Sequence, residues 1–258
     1  MKKINLLVYS MLTASCITNA YADGSSNSTS TAAPSSAPAA SSPAPTSPVT
    51  GTFDITNNYV FRGISNSDNN PAVQGGFTYT FASTGIYFNL WGSNVDFLDP
   101  HNHVATVEFD TIAGIANDVG KDFHYDINID RYNYPRASSA SYDELITALT
   151  YKIFTATLGY STNVYGSHKK GTYYNGAINY DVTPKYALNL NDVTVMAAVG
   201  HYILPESAGL FSYTDYMLGV KKTLGQYVFM LQWTGTNGEA RQPPLDNDQL
   251  VATVQVNF

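Results

Sequence analysis

The chain ends on an unbroken alternation. Leu250, Ala252, Val254, Val256 and Phe258 fall on one side, and Val251, Thr253, Gln255 and Asn257 on the other. A period of two is the signature of a strand with two different faces. A soluble sheet would have to bury the first face in a core, and an open terminal edge would recruit other chains. A closed transmembrane barrel meets both demands: lipid covers the apolar side, the lumen solvates the polar side, and the last strand pairs with the first.

The same alternation recurs upstream. It predicts twelve strands, over residues 53–62, 73–81, 86–93, 105–115, 123–132, 144–152, 154–161, 173–181, 193–202, 213–221, 227–234 and 249–258. In the first, Phe53, Ile55, Asn57, Tyr59 and Phe61 face out, and Asp54, Thr56, Asn58, Val60 and Arg62 face in. Single-chain outer-membrane barrels have an even strand number, short turns at the periplasmic end and longer loops outside. The connections follow that rule, with long ones in odd positions and short ones such as ASTG and TLGQ in even positions. The connection 182–192 is longer than the rule allows. The fold expected is therefore all-β, a transmembrane antiparallel up-and-down barrel of about twelve strands.

Residues 1–22 place Lys2 and Lys3 before an apolar run and close on Ala20-Tyr21-Ala22, the order of a secretory signal peptide. Cys16, the single cysteine, lies in that leader, so the mature chain carries no thiol. Residues 23–50 are almost wholly Ser, Thr, Ala and Pro; they read as a disordered linker with nothing to bury. The barrel is then 51–258. Without Lys2 and Lys3, 11 basic residues stand against 20 acidic ones, a balance that excludes a nucleic-acid partner. Twenty tyrosines and twelve phenylalanines suit aromatic girdles at the two membrane interfaces. Tyr59, Phe61, Phe81, Tyr125, Tyr160, Tyr180, Tyr216, Tyr227, Trp233 and Phe258 are assigned to them.

The stretch YVFRGISNSDNNPAVQGGF, 59–77, resembles the first hairpin of the TorF-type porins, bacterial outer-membrane proteins of the Gcw_chp type. The matching positions are Arg62, Gly63, Ser65, Asp68, Pro71, Ala72, Gln74 and Gly75. Weaker similarity continues through GIYFNLWGSNVDF, VEFDTIAGIA, YDINIDRYNYP and YMLGVKKTLGQYVFMLQW to the end of the chain. The long linker, Asn57 and Asn58 depart from the family. The resemblance implies a pore-forming outer-membrane protein, with membrane lipid, the outer-membrane assembly machinery and small solutes or ions as partners. Phe258 resembles the terminal signal that this machinery reads.

About twelve strands make a narrow lumen. Its inward residues include Asp54, Glu108, Asp110, Asp126, Asp130, Glu144, Asp181 and Asp215 against Arg62, Lys152 and Lys221, an excess of acid that favours cations. Arg62 and Asp68 are expected to pair, either as a constriction couple or as a brace for the first loop. Gly63, Gly75 and Gly76 read as sites of backbone bending or bulging. His101 and His103 with Asp99 carry metal-ligand chemistry but read as a polar loop, and His124 with Asp126 offers a dyad for which the sequence marks no nucleophile. No cofactor, metal or catalytic residue is assigned. The functional expectation is a narrow, weakly cation-favouring porin for passive diffusion. A non-conducting structural or adhesion barrel and an outer-membrane hydrolase are the alternatives.

Overall fold

The computed structural model describes residues 47–81, 83–182 and 192–258. The leader 1–22, the linker up to residue 46 and most of the 182–192 connection lie outside the described residues. The wall comprises β1 (Val49–Thr56), β4 (Ala72–Thr80), β5 (Ile86–Leu98), β6 (Val104–Val119), β7 (Phe123–Asn133), β8 (Tyr142–Tyr151), β9 (Phe154–Ser161), β10 (Gly171–Asp181), β11 (Val193–Ile203), β12 (Tyr213–Leu224), β13 (Tyr227–Thr236) and β14 (Gln249–Asn257). Two further strands, β2 (Val60–Phe61) and β3 (Ile64–Ser65), form a separate small hairpin.

The twelve long strands close into one antiparallel up-and-down barrel, each paired with its neighbours along the chain and β1 with β14. Closure runs from Thr52 opposite Asn257 to Thr56 opposite Thr253. The terminal residue extends it: the Gly51 carbonyl accepts from the Phe258 N–H, and the Gly51 N–H donates to Phe258. The wall begins at Val49, two residues inside the segment read as linker, because Val49 and Thr50 already pair with Tyr79 and Thr78.

The alternation that predicts the strands also sorts their faces. Leu250 is 61% exposed and Val251, its neighbour in sequence, 3%. Phe53, Ile55, Phe77, Leu90, Ile129, Leu158, Leu218 and Leu231 are likewise exposed, so the outside of the cylinder is apolar. The interior carries carboxylates, amides, hydroxyls and aromatic rings.

Apart from the 182–192 connection, those at the end that holds β1's start and β14's finish are tight, such as Lys152-Ile153 between β8 and β9. The opposite end holds the longer loops, three of them containing short 3-10 turns at Ser138–Ala140, Val164–Gly166 and Glu206–Ala208. The first expected strand is corrected here. The chain leaves the wall after Thr56, and residues 57–71 turn into the barrel, so Tyr59 (0% exposed) and Phe61 (2%) are interior residues and not girdle aromatics.

Asn57 makes that exit possible. Its N–H donates to the Ala252 carbonyl, its side-chain carbonyl accepts from the Ala252 N–H at 2.7 Å, and its amide donates to the Leu250 carbonyl at 3.0 Å. The side chain thus carries the β14 ladder on after the backbone has turned away. Polar backbone groups in such a wall must find partners.

Candidate functional site

The inner hairpin is the centre of the candidate site. Its turn depends on Gly63, which has φ +80° and approaches the opposite wall so closely that a Cβ there would lie 2.4 Å from the Gly235 carbonyl oxygen. No side chain fits that position. Ser65 and Ser67 tie the hairpin to itself, Ser65 Oγ donating to Asn58 Oδ1 at 2.6 Å and accepting from the Asn69 N–H at 2.8 Å. The Ser65 N–H donates to the Leu245 carbonyl, and the Asn66 carbonyl accepts from the Asp96 N–H. Tyr59 packs edge-on against Trp91 of β5, and its hydroxyl donates to the Glu108 carboxylate of β6 at 3.2 Å. The hairpin therefore touches strands around most of the circumference.

Arg62 reaches across the lumen to β8. Its Nη1 donates to Glu144 Oε1 at 3.0 Å and its Nη2 to Oε2 at 2.8 Å, a bidentate pair with side chains 2% and 0% exposed. The guanidinium lies over the rings of Tyr173 (3.9 Å to the centroid), Phe61 (4.4 Å) and Tyr202 (4.6 Å). Tyr132 OH also donates to Glu144 Oε2. Gly159 on β9 leaves the room this needs, since a Cβ there would sit 2.7 Å from Glu144 Oε1 and 3.1 Å from Arg62 Nη2. A planar fork and an aromatic-lined slot are what arginine, and not lysine, satisfies.

The expected Arg62–Asp68 pair does not form. Asp68 is exposed at the hairpin's base with φ +52°, while Arg62 is turned inward by the β2–β3 reversal. Arg62's partner is a wall residue 82 positions away.

Around the pair lies an aromatic cluster containing Tyr59, Tyr132, Tyr134, Tyr142, Tyr165, Tyr173, Tyr202 and Tyr213, joined by Phe61, Ile64, Val95, Phe97 and Leu204. Ring contacts run Tyr132–Tyr142 (4.5 Å), Tyr142–Tyr165 (5.2 Å), Tyr165–Tyr202 (5.8 Å) and Tyr202–Tyr213 (6.1 Å), three of the four steeply inclined or edge-on. Many of the tyrosines assigned to no place by the sequence thus fill the long-loop half of the barrel. Phe81, Tyr227, Trp233 and Phe258 do lie exposed on the outside, as expected of girdle residues.

Of the expected luminal acids, Asp54, Glu108, Asp110, Asp130, Glu144 and Asp215 are buried inside the barrel. Asp110 Oδ1 and Asp130 Oδ1 have no hydrogen-bond partner among the described residues. Asp215 accepts from Tyr173 OH at 3.1 Å. Asp126 sits nearer the tight-turn end and accepts from Tyr87 OH at 2.8 Å. Asp181 is exposed at that rim. Of the bases, Lys221 is half-buried on the luminal side of β12. Lys152 is corrected: it occupies the β8–β9 turn at φ +56°, exposed, with its ammonium over the Tyr151 ring. In the long-loop half Arg62 faces this group of carboxylates.

The other family-motif residues are structural. The Pro71 carbonyl accepts from Asn94 Nδ2, Ala72 is buried against the cluster, Gln74 Nε2 donates to Ser93 Oγ, and Gly75 sits opposite Phe53 in a regular ladder with no bulge. The bulge in that region falls on β5, between Asn94 and Phe97. His124 does not pair with Asp126; its Nδ1 lies 2.8 Å from Asp118 Oδ1 at the tight-turn rim.

At the opposite rim Asp99 is 3% exposed and accepts from the His101 and His103 N–H groups, from the Ser139 hydroxyl and, at 3.0 Å, from the His103 ring. Burial works against ionising Asp99, but these donors outweigh it and hold its carboxyl below the usual range.

The class these features define is a closed twelve-stranded barrel with an apolar outside, a carboxylate-rich inside and an inner hairpin across its lumen. The chain belongs to the Gcw_chp family, described as bacterial proteins of unknown function, whose model matches residues 40–257. No curated protein matches it. Among solved structures it is similar to the KdgM porin, with TM-score 0.51 and 9% identity over 81% of this chain and 98% of that one. The NanC porin gives 0.49 and 9% over 80% and 98%, and Acinetobacter baumannii OccAB3 0.41 and 10% over 80% and 59%. The likeness to the KdgM porin, at 9% identity, is one of fold.

Proposed function

We propose that this protein is an outer-membrane, porin-like channel for small solutes or ions, with an acidic lumen and an inner hairpin that holds its outer half closed. The observation that carries this reading is the Arg62 hairpin: a loop folded into a barrel that is apolar outside and polar within, with a buried ion pair joining it to the far wall. Ten of the twelve wall strands run nine to sixteen residues, long enough for the apolar layer of a bilayer. The exposed apolar belt is costly in water and stable in lipid. The leader read in residues 1–22, the assembly signal read at Phe258 and the TorF-type pattern of residues 62–75 support the same location.

A weak preference for cations follows from the charge balance, since Asp54, Glu108, Asp110, Asp130 and Asp215 outnumber the bases on the inner face. The chemistry asked of the protein is passage and not catalysis. The packing of the aromatic cluster favours one rival, a non-conducting structural barrel.

Reversal-potential measurement on refolded protein in a planar bilayer, under a KCl gradient, tests the reading. Discrete steps with a reversal potential on the cation side support it. An anion-side potential overturns the selectivity. Silence from both the wild type and a hairpin-deleted form establishes the structural barrel.

A further inference from the structure

The connection 99–103, between β5 and β6 at the outer rim, carries two imidazoles and a carboxylate that the channel reading does not use. Asn102, at φ +63°, reverses the loop and brings the His101 and His103 rings to one side, their centroids 6.1 Å apart. One ligand atom from each of Asp99, His101 and His103 lies within 4.8 Å of the other two. His103 Nδ1 is 3.0 Å from Asp99 Oδ2. That spacing is close to the edge, about 3.3 Å, of a tetrahedron whose corners stand about 2.0–2.1 Å from a central zinc ion.

We propose that Asp99, His101 and His103 form a binding site for a divalent transition metal of the zinc class at the outer mouth of the barrel. Two imidazoles and one carboxylate suit zinc, copper(II) or nickel(II), and not the all-oxygen preference of magnesium or calcium. On binding, the metal takes the place of the hydrogen between His103 Nδ1 and Asp99 Oδ2, and the neutral imidazole carries its one proton on Nε2. Asp99 is oriented beforehand: the His101 and His103 N–H groups and the Ser139 hydroxyl hold its carboxylate, as outer partners hold metal ligands elsewhere. Ser139 belongs to the next outer loop, so a bound ion joins two loops over the mouth. Both imidazoles are exposed, which leaves the remaining coordination positions open to water. A site of this form captures metal from outside without dismantling the barrel.

Isothermal titration of zinc chloride into the refolded full chain in detergent tests the site. The expected result is saturable binding of one ion per chain. His101→Ala and His103→Ala should each weaken it by at least about tenfold. His124→Ala, which removes the two-donor pair at the opposite rim, should leave it unchanged. The histidines are exposed and outside the wall strands, so these variants keep the barrel, as heat-dependent gel migration will show. Absence of saturable binding up to millimolar zinc overturns the proposal, and so does undiminished affinity in the His101→Ala/His103→Ala double variant.

Discussion

Replacing Arg62 by alanine should open the outer half of the barrel. In the closed state the change leaves Glu144, 0% exposed at its side chain, with only the Tyr132 hydroxyl as a donor among the hydrogen bonds described above. Removing one partner of a buried ion pair costs about 3–5 kcal/mol, and losing the guanidinium from over the Tyr173 and Tyr202 rings adds to it. Once the hairpin swings out, Glu144 is solvated and the penalty vanishes. The closed-to-open ratio should then fall by about two to three and a half powers of ten. The barrel itself should survive, because Arg62 lies outside every wall strand. Single-channel recording reads the effect as open probability. Glu144→Gln should act in the same direction with a smaller effect, and Arg62→Met/Glu144→Gln should recover part of the closure, since neither residue then carries an unpaired buried charge. Asp68→Ala should change nothing. Wild-type open probability in Arg62→Ala, or an equal effect from Asp68→Ala, would refute the latch.

Gly159→Val should imitate Arg62→Ala in the same recordings, because its side chain collides with Glu144 Oε1 and Arg62 Nη2; unchanged gating would contradict the packing described. Leu218→Arg, at the outward centre of β12, should destabilise the barrel by about 2–4 kcal/mol in urea titrations in phospholipid vesicles, and Gln232→Arg on the luminal face by much less. Equal costs would argue against lipid on the outside. Deleting Phe258 removes a ring that meets Phe77 edge-on (5.8 Å) and covers Gly51, a loss of about 2 kcal/mol by buried area that the closed ladder should tolerate in vitro. In cells the same deletion should leave chains unassembled, and normal outer-membrane levels would refute the assembly role.

The wall was legible because the outside and the lumen of a closed barrel impose opposite demands on successive residues. Leu250 and Val251 differ in exposure for that reason, and β1 closes on β14 in the register their faces require. Inside the barrel the period-two rule loses its force. Tyr59 and Phe61 continue the outward phase of Phe53 and Ile55, yet both are interior, since a chain that has left the wall has no outward face. The available signal was Asn57-Asn58, two poor strand formers at the place where the phase was being extended. Arg62 and Glu144 were each read as luminal, but their pairing was not: 82 residues separate them, and only the closed cylinder brings β8 opposite the hairpin. Asp68 drew attention by being near Arg62 in sequence, which a tight reversal turns into pointing apart. The tyrosines illustrate the same limit, because composition cannot distinguish a girdle ring from one packed across a lumen.

The account turns on the inner hairpin, and replacing residues 58–70 with a short Gly-Ser link tests it most directly. β1 ends at Thr56 and β4 begins at Ala72, so the wall ladder is untouched by the exchange. The measurement is single-channel conductance of the refolded variant beside the wild type in the same bilayer. The account predicts large, persistent, cation-favouring openings in the variant where the wild type is closed most of the time. Conductance identical to wild type, or a silent variant that still migrates as a folded barrel, would contradict it.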